Sequence, residues 1–317
     1  MTADVWTEHA LRELFAEISN WGRWGAQDER GTLNLIDADV VREAVASVRA
    51  GVAVGCGSID LAPPKLPLTA AQQGAPAARH AMIQIGNAEA PGTALTTDYV
   101  GVAPHGPGTT HLDALCHVSL DGRLYNGQPA SVVGPDGARA LTVGTAADGI
   151  TTRGVLVDVP ALRGAPYVDP DQPVTAAELD AALARQGSGM RPGDALVLFV
   201  GRQARRDAEG PGCERTDAGA HLAGLDIDCL RWLRAHDVAL LVADSGSDAL
   251  PRRVGNVNLP IHVGTLVFLG LPLVDNADLR EVVRTARHFG RYEFLLTVAP
   301  LRIDGGTASP VNPVAVF

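Results

Sequence analysis

The sequence predicts an α/β fold in a single domain, on three observations. Short β-type apolar runs alternate with amphipathic stretches in the second half: residues 154–159, 175–186, 195–200, 227–235 and 238–243. Such alternation is the pattern of a mixed sheet with flanking helices. The 317 residues are 46% hydrophobic and 20% charged, which suits one sizeable core. No internal repeat, low-complexity tail or linker interrupts residues 1–317, which are read as one domain with residues 1–50 as a helical and lid segment.

Taken in order, residues 8–19 read as a helix, because Leu11, Leu14, Phe15 and Ile18 recur at helical spacing. Residues 20–34 read as a loop through Gly22, Gly25 and Gly31, and this loop carries Trp21 and Trp24, two of the four tryptophans. Large aromatics in such a loop are either a hydrophobic plug or a lid over a site. Residues 38–49 resume a helix that Asp37 or Asp39 could cap. Residues 62–78, rich in Pro, Ala and Gln, read as a long excursion, and strands are expected at 81–85 and 96–102. The helix at 175–186 precedes the strand at 195–200, and the helix at 227–235 precedes the strand at 238–243. The last strand is expected at 292–299.

Composition narrows the function. The net charge is −10 and no basic stripe is present, which argues against nucleic acid as a partner. Arg202, Arg205 and Arg206 form a small cluster that reads as a solvated face or a contact for a substrate anion. No apolar run reaches bilayer length, so no membrane partner is expected. The first residues show no basic stretch followed by an apolar one, so no export signal is expected. Cys56, Cys116, Cys213 and Cys229 are scattered, and free thiols in a reducing cytoplasm are the expectation.

The run from His105 to His117, HGPGTTHLDALCH, carries the chemistry. It gathers three of nine histidines and one carboxylate into thirteen residues. His111 and Asp113 are two apart, so an extended backbone points both to one side. Imidazole with carboxylate suits Zn²⁺ or Mn²⁺, and a further histidine can carry a proton. A polar loop with satisfied histidines is the bland alternative, but polar groups packed this closely go unpaired unless something binds them.

Two later segments join as candidates. Asp244-Ser-Gly-Ser-Asp248 follows the strand at 238–243, where α/β sheets commonly build sites, although the same residues also make ordinary turns. His262 ends Leu259-Pro-Ile-His, and Asp275 precedes Asn276 and Asp278. Alone, His262 reads as a buried histidine, Asp275 as a turn and Asp278 as a helix cap.

The stretch THLDALCH resembles the signature H-x-G-T-H-x-D-x-P-x-H of the cyclase-like metal-dependent hydrolase family, which includes kynurenine formamidase, isatin hydrolase and polyketide cyclases. The resemblance extends to residues 20–35, Tyr125-Asn126-Gly127, the 259–276 segment and the C-terminal stretch 294–314. It implies the swivelling β/β/α fold, a homodimer or homotetramer, and one or two Zn²⁺ or Mn²⁺ ions. His111, Asp113, His262 and Asp275 match metal ligands, with Asp113 bridging if two ions bind, and His117 matches the general acid/base. Asp275 stands where most members have Glu. The first family ligand falls on Pro107, which has no ligating side chain, so a full two-metal site depends on His105 reaching in through Gly106 and Gly108. The signature proline is Leu115 here. His221 is a second catalytic candidate, by a Gly-Leu-His turn in longer members, against a helix-flanking surface role. Trp21, Trp24 and Tyr125 are candidate substrate contacts.

Three functions follow from these residues. The first is a hydrolase for an amide or ester, of lactone, cyclic amide or aryl-formamide type, using metal-activated water and a histidine acid/base. The second is a polyketide-type cyclase that enolises a ketone in the same pocket. The third is a binding protein without chemistry, favoured only by Pro107.

Overall fold

The computed structural model describes residues 6–61, 78–86, 91–217 and 219–317. The expected excursion at 62–78 therefore lies, except for Ala78, outside the described residues. In chain order the main elements are α1 (Glu8–Ile18), α2 (Ala38–Ala46), β1 (Ala53–Gly55), β2 (Ala78–Gln84), β3 (Thr97–Val102), β4 (His111–Asp113) and β5 (Ile150–Asp158). There follow α3 (Val159–Arg163), α4 (Ala176–Gln186), β6 (Ala195–Phe199), α5 (Arg202–Glu209), α6 (Cys229–Ala235) and β7 (Leu240–Ala243). The chain closes with β8 (Leu273–Asp275), α7 (Arg280–Phe289), β9 (Glu293–Val298), β10 (Ala308–Pro310) and β11 (Val314–Val316).

The local chemistry explains these elements. α1 buries Leu11, Leu14, Phe15 and Ile18 along one stripe, and the Thr7 side chain accepts from the Ala10 N–H to cap it. Asp37, not Asp39, caps α2. α4 starts in a reciprocal box between Thr175 and Glu178 and stops at Gly187, whose φ of +66° suits glycine. β6 and β7 are buried at every position, as strands covered on both faces must be.

One nine-stranded sheet runs β1-β11-β9-β5-β6-β7-β8-β4-β10. Its middle strands β5 to β8 are parallel, and the flanking pairs are antiparallel. The expected α/β class, with a mixed sheet and flanking helices, is the observed one. The expected strands at 81–85 and 96–102 do form, but they pair with each other as a separate hairpin. The apolar run after His262 is a helix of wider turns over Val263–Leu269. Among the described residues no helix is long and apolar enough to cross a membrane.

Register brings distant segments together. β4 lies between β8 and β10, with Asp275 opposite His111 and Leu273 opposite Asp113. Direct cross-strand partners share a face. His111, Asp113 and Asp275 therefore stand on one face, while Leu112 turns into the core.

Candidate metal centre

Five side chains converge at this face. His105, His111 and Asp113 offer ligand atoms within 4.8 Å of one another, and so do Asp113, His262 and Asp275. Asp113 belongs to both groups. His105 Nδ1 and His111 Nε2 lie 2.9 and 3.4 Å from Asp113 Oδ1. His262 Nε2 lies 3.7 Å from Asp113 Oδ2 and 3.4 Å from Asp275 Oδ2. Asp113 is 1% exposed, yet among the described residues neither of its oxygens has a hydrogen-bond partner beyond the imidazoles around it, and the nearby His105 Nδ1 has no other. Buried polar atoms left open in this way are costly unless something binds them.

Each imidazole is held by its other nitrogen, so one nitrogen is left for a ligand. His111 Nδ1 lies 2.8 Å from Thr109 O, and His105 Nε2 lies 3.0 Å from Thr307 Oγ1. His262 Nδ1 lies 2.6 Å from Asp248 Oδ2. The Asp248 carboxylate also accepts from the backbone N–H of Ile261 and His262, so it fixes both the turn and its imidazole. Asp275 Oδ1 accepts from the Ser247 hydroxyl at 2.6 Å.

His105 reaches Asp113 through the turn at Gly106, whose φ of +123° only glycine adopts freely. Asn276 pins that turn by donating to Gly106 O at 3.0 Å.

His117 stacks on His105, with centroids 3.7 Å apart. Its ring makes no hydrogen bond among the described residues, and burial pushes its pKa down to about 4. Burial pushes Asp113 upward, but His105, His111, His117 and His262 outweigh it and hold the carboxyl well below the usual range. Burial lowers His262, but Asp248 and Asp275 overcome it and raise its pKa well above the ordinary value.

The cluster opens into a cavity of about 430 Å³, lined also by Pro107, Leu222, Leu250 and Leu259. Five carboxylates line it against three guanidinium groups, an imbalance that divalent cations would offset. The buried open atoms and the imidazole–carboxylate donor set thus fit a metal.

Other candidates stand elsewhere. Trp21, expected near the substrate, stacks on Phe268 and donates from Nε1 to Val267 O at 2.6 Å. Trp24 lies under the Arg23 guanidinium. Tyr125 is fully buried, and its hydroxyl donates to Asp28. None of the three lines the cavity, and Trp21 is 38% exposed. His221 bonds Asp171 and Arg205 and does not line the cavity, although its neighbours Ala220 and Leu222 do.

Sequence reasoning did not pick out Thr307 or Ser247, and it left Asp248 undecided. Only the position of Asp248 after β7 hinted at it. Asp244, expected at a turn, is buried and accepts from the N–H of Val200, Gly201 and Arg202.

Comparison with known proteins agrees with this architecture. A crystal structure described as a novel cyclase is 27% identical, with a TM-score of 0.78 over 96% of this chain and 99% of that one. Isatin hydrolase A from Ralstonia solanacearum is 20% identical, with a TM-score of 0.56 over 88% of this chain and 95% of that one. An isatin hydrolase bound to the product analogue thioisatinate is 17% identical, with a TM-score of 0.58 over 89% and 99% of the two chains. The two isatin hydrolases show a shared fold. No curated protein matches the chain closely enough to count as a relative. A family described as "Putative cyclase" matches residues 59–248, more than half of the sequence, and the chain accordingly belongs to this Cyclase family of enzymes.

Proposed function

We propose that the chain is a metal-dependent hydrolase that cleaves an amide or ester of the lactone, cyclic amide or aryl-formamide type. One observation carries this reading: two ligand groups share a buried Asp113 whose oxygens have no other partner among the described residues, at the wall of a cavity. His105, His111 and Asp113 would hold one cation, and Asp113, His262 and Asp275 a second. Bound there, Zn²⁺ or Mn²⁺ supplies a Lewis acid that polarises a carbonyl and acidifies water.

The chain's own residues do the rest. Asp248, Thr109 and Thr307 keep the imidazoles oriented. His117, neutral at physiological pH, accepts a proton from the attacking water as the water oxygen bonds to the carbonyl carbon. The C–N or C–O bond then breaks, and His117 returns the proton to the leaving nitrogen or oxygen. The products are a carboxylate and an amine or alcohol. The apolar wall of Leu222, Leu250 and Leu259 suits the body of a flat substrate.

A cyclase reading keeps the same residues, with His117 removing a carbon-bound proton. The name of the 27% identical relative favours it. The reading also carries a homodimer or homotetramer in the cytoplasm. The hairpin β2–β3 supports association, since it exposes Met82, Ile83, Tyr99 and Val100, and light scattering tests it.

The deciding experiment is metal analysis of purified protein, then turnover of N-formylkynurenine, isatin and a simple lactone. Stoichiometric Zn²⁺ or Mn²⁺ with cleavage of any one sustains the hydrolase. Loaded protein that cleaves none of them overturns it.

A further inference from the structure

Arginines occupy another part of the cavity wall. Arg202, Arg206 and Arg215 all line it, and their states differ. Arg202 is fully engaged: it bonds Glu214 through two nitrogens, Asn276 Oδ1 at 2.7 Å and Pro107 O at 2.9 Å. Arg205, on the same helix, turns away to Glu209, Cys213 O and His221 O. Arg206 lies one helical turn beyond Arg202, hence on the same face. Its ion-pair partner is Asp60 at 3.9 Å, too long for a hydrogen bond. Arg215 has no ion pair or side-chain hydrogen bond among the described residues. Its backbone pairs directly opposite Ala220, whose side chain also lines the cavity. Two guanidinium groups with open donors thus share a cavity with the ligand cluster, and a guanidinium fork matches a carboxylate through two parallel bonds.

We infer that Arg206 and Arg215 bind a carboxylate of the substrate remote from the scissile bond, so that the substrate is an amide or ester bearing a free acid. The inference rests on the hydrolytic reading above and names its substrate class. Asp60 acts as the internal competitor that the substrate carboxylate displaces from Arg206.

The test uses metal-loaded enzyme and two matched esters, mono-4-nitrophenyl glutarate and its methyl ester. Wild type should prefer the free acid by about 10–100-fold in kcat/KM, the range of charge-assisted hydrogen bonds. R206Q and R215Q should each erode that preference about tenfold, through KM more than kcat, with R206K between. D60N should raise it. Equal rates on both esters in wild type, or an unchanged preference in R206Q and R215Q, would overturn the assignment. If neither ester is cleaved, the hydrolytic reading loses support separately. Calorimetric titration of glutarate against dimethyl glutarate still tests the arginines. Binding of glutarate that weakens in R206Q and R215Q supports them, and binding indifferent to both substitutions refutes them.

Discussion

Asp113 and Asp244 are both buried aspartates at the ends of strands, 1% and 6% exposed, yet their surroundings are opposite. Three backbone N–H groups at the start of α5 satisfy Asp244 at 2.7–3.0 Å. Among the described residues no backbone N–H reaches Asp113, which faces four imidazoles instead. Burial pushes Asp244 up to about 6, whereas the imidazoles hold Asp113 low. The difference separates scaffold from site. A carboxylate saturated by backbone donors holds loops together. One left open among ring nitrogens is prepared for a cation.

The largest expected effect follows from that contrast. Asp113→Asn should remove metal from both groups and reduce turnover below detection, with the metal-free protein as stable as wild type within about 1 kcal/mol, the usual scatter of substitutions that leave packing intact. Asp244→Ala should do the reverse and lose about 3 kcal/mol of unfolding free energy, because three buried N–H groups go unpaired. Metal loss with intact stability in Asp244→Ala would break the comparison.

Next in size is His117→Ala. It should lower kcat by about 10²–10⁴-fold with metal retained, as expected for a general acid/base. Metal loss would make His117 a ligand.

Asp248→Ala should weaken metal binding by about 10–100-fold through a freed His262 ring. His105→Ala should lower occupancy as far as His111→Ala does. Wild-type occupancy in His105→Ala would mean that the first ligand group is not used.

The most gradual effect is a pH slope. The folded pKa of Asp244, about 6, lies above its ordinary 3.8. The native state therefore holds this proton more tightly. Its contribution to stability is complete below about pH 4 and is lost as pH rises through about 6. Relative to Asp244→Asn, wild type should lose up to about 3 kcal/mol between pH 4 and 7, read from urea unfolding. A flat difference would place the Asp244 carboxyl in an ordinary environment.

Much of this was legible in the residues. The period of Leu11, Leu14, Phe15 and Ile18 made α1, and unbroken apolar runs made β6 and β7. The two-residue spacing of His111 and Asp113 already put both on one side. Strands such as β4, β8 and β10 escaped notice, because three residues are too few to show a period. The aromatic loop was ambiguous for another reason. Trp21 is held by Val267 O, 246 residues away, and nothing local foretells that contact.

By itself the sequence determined the kinds of ligand, their alternation along β4 and the glycine that lets His105 turn inward. Tertiary structure alone decided that Asp275 stands opposite His111, that Asp248 aims His262, and that Arg206 and Arg215 look into the same cavity as the histidines. The physical reason is that side-chain type and local alternation belong to the chain. Register and wall composition are set by which strands and helices pack together, and a one-residue slip at β4–β8 would turn every ligand on one strand away from the other.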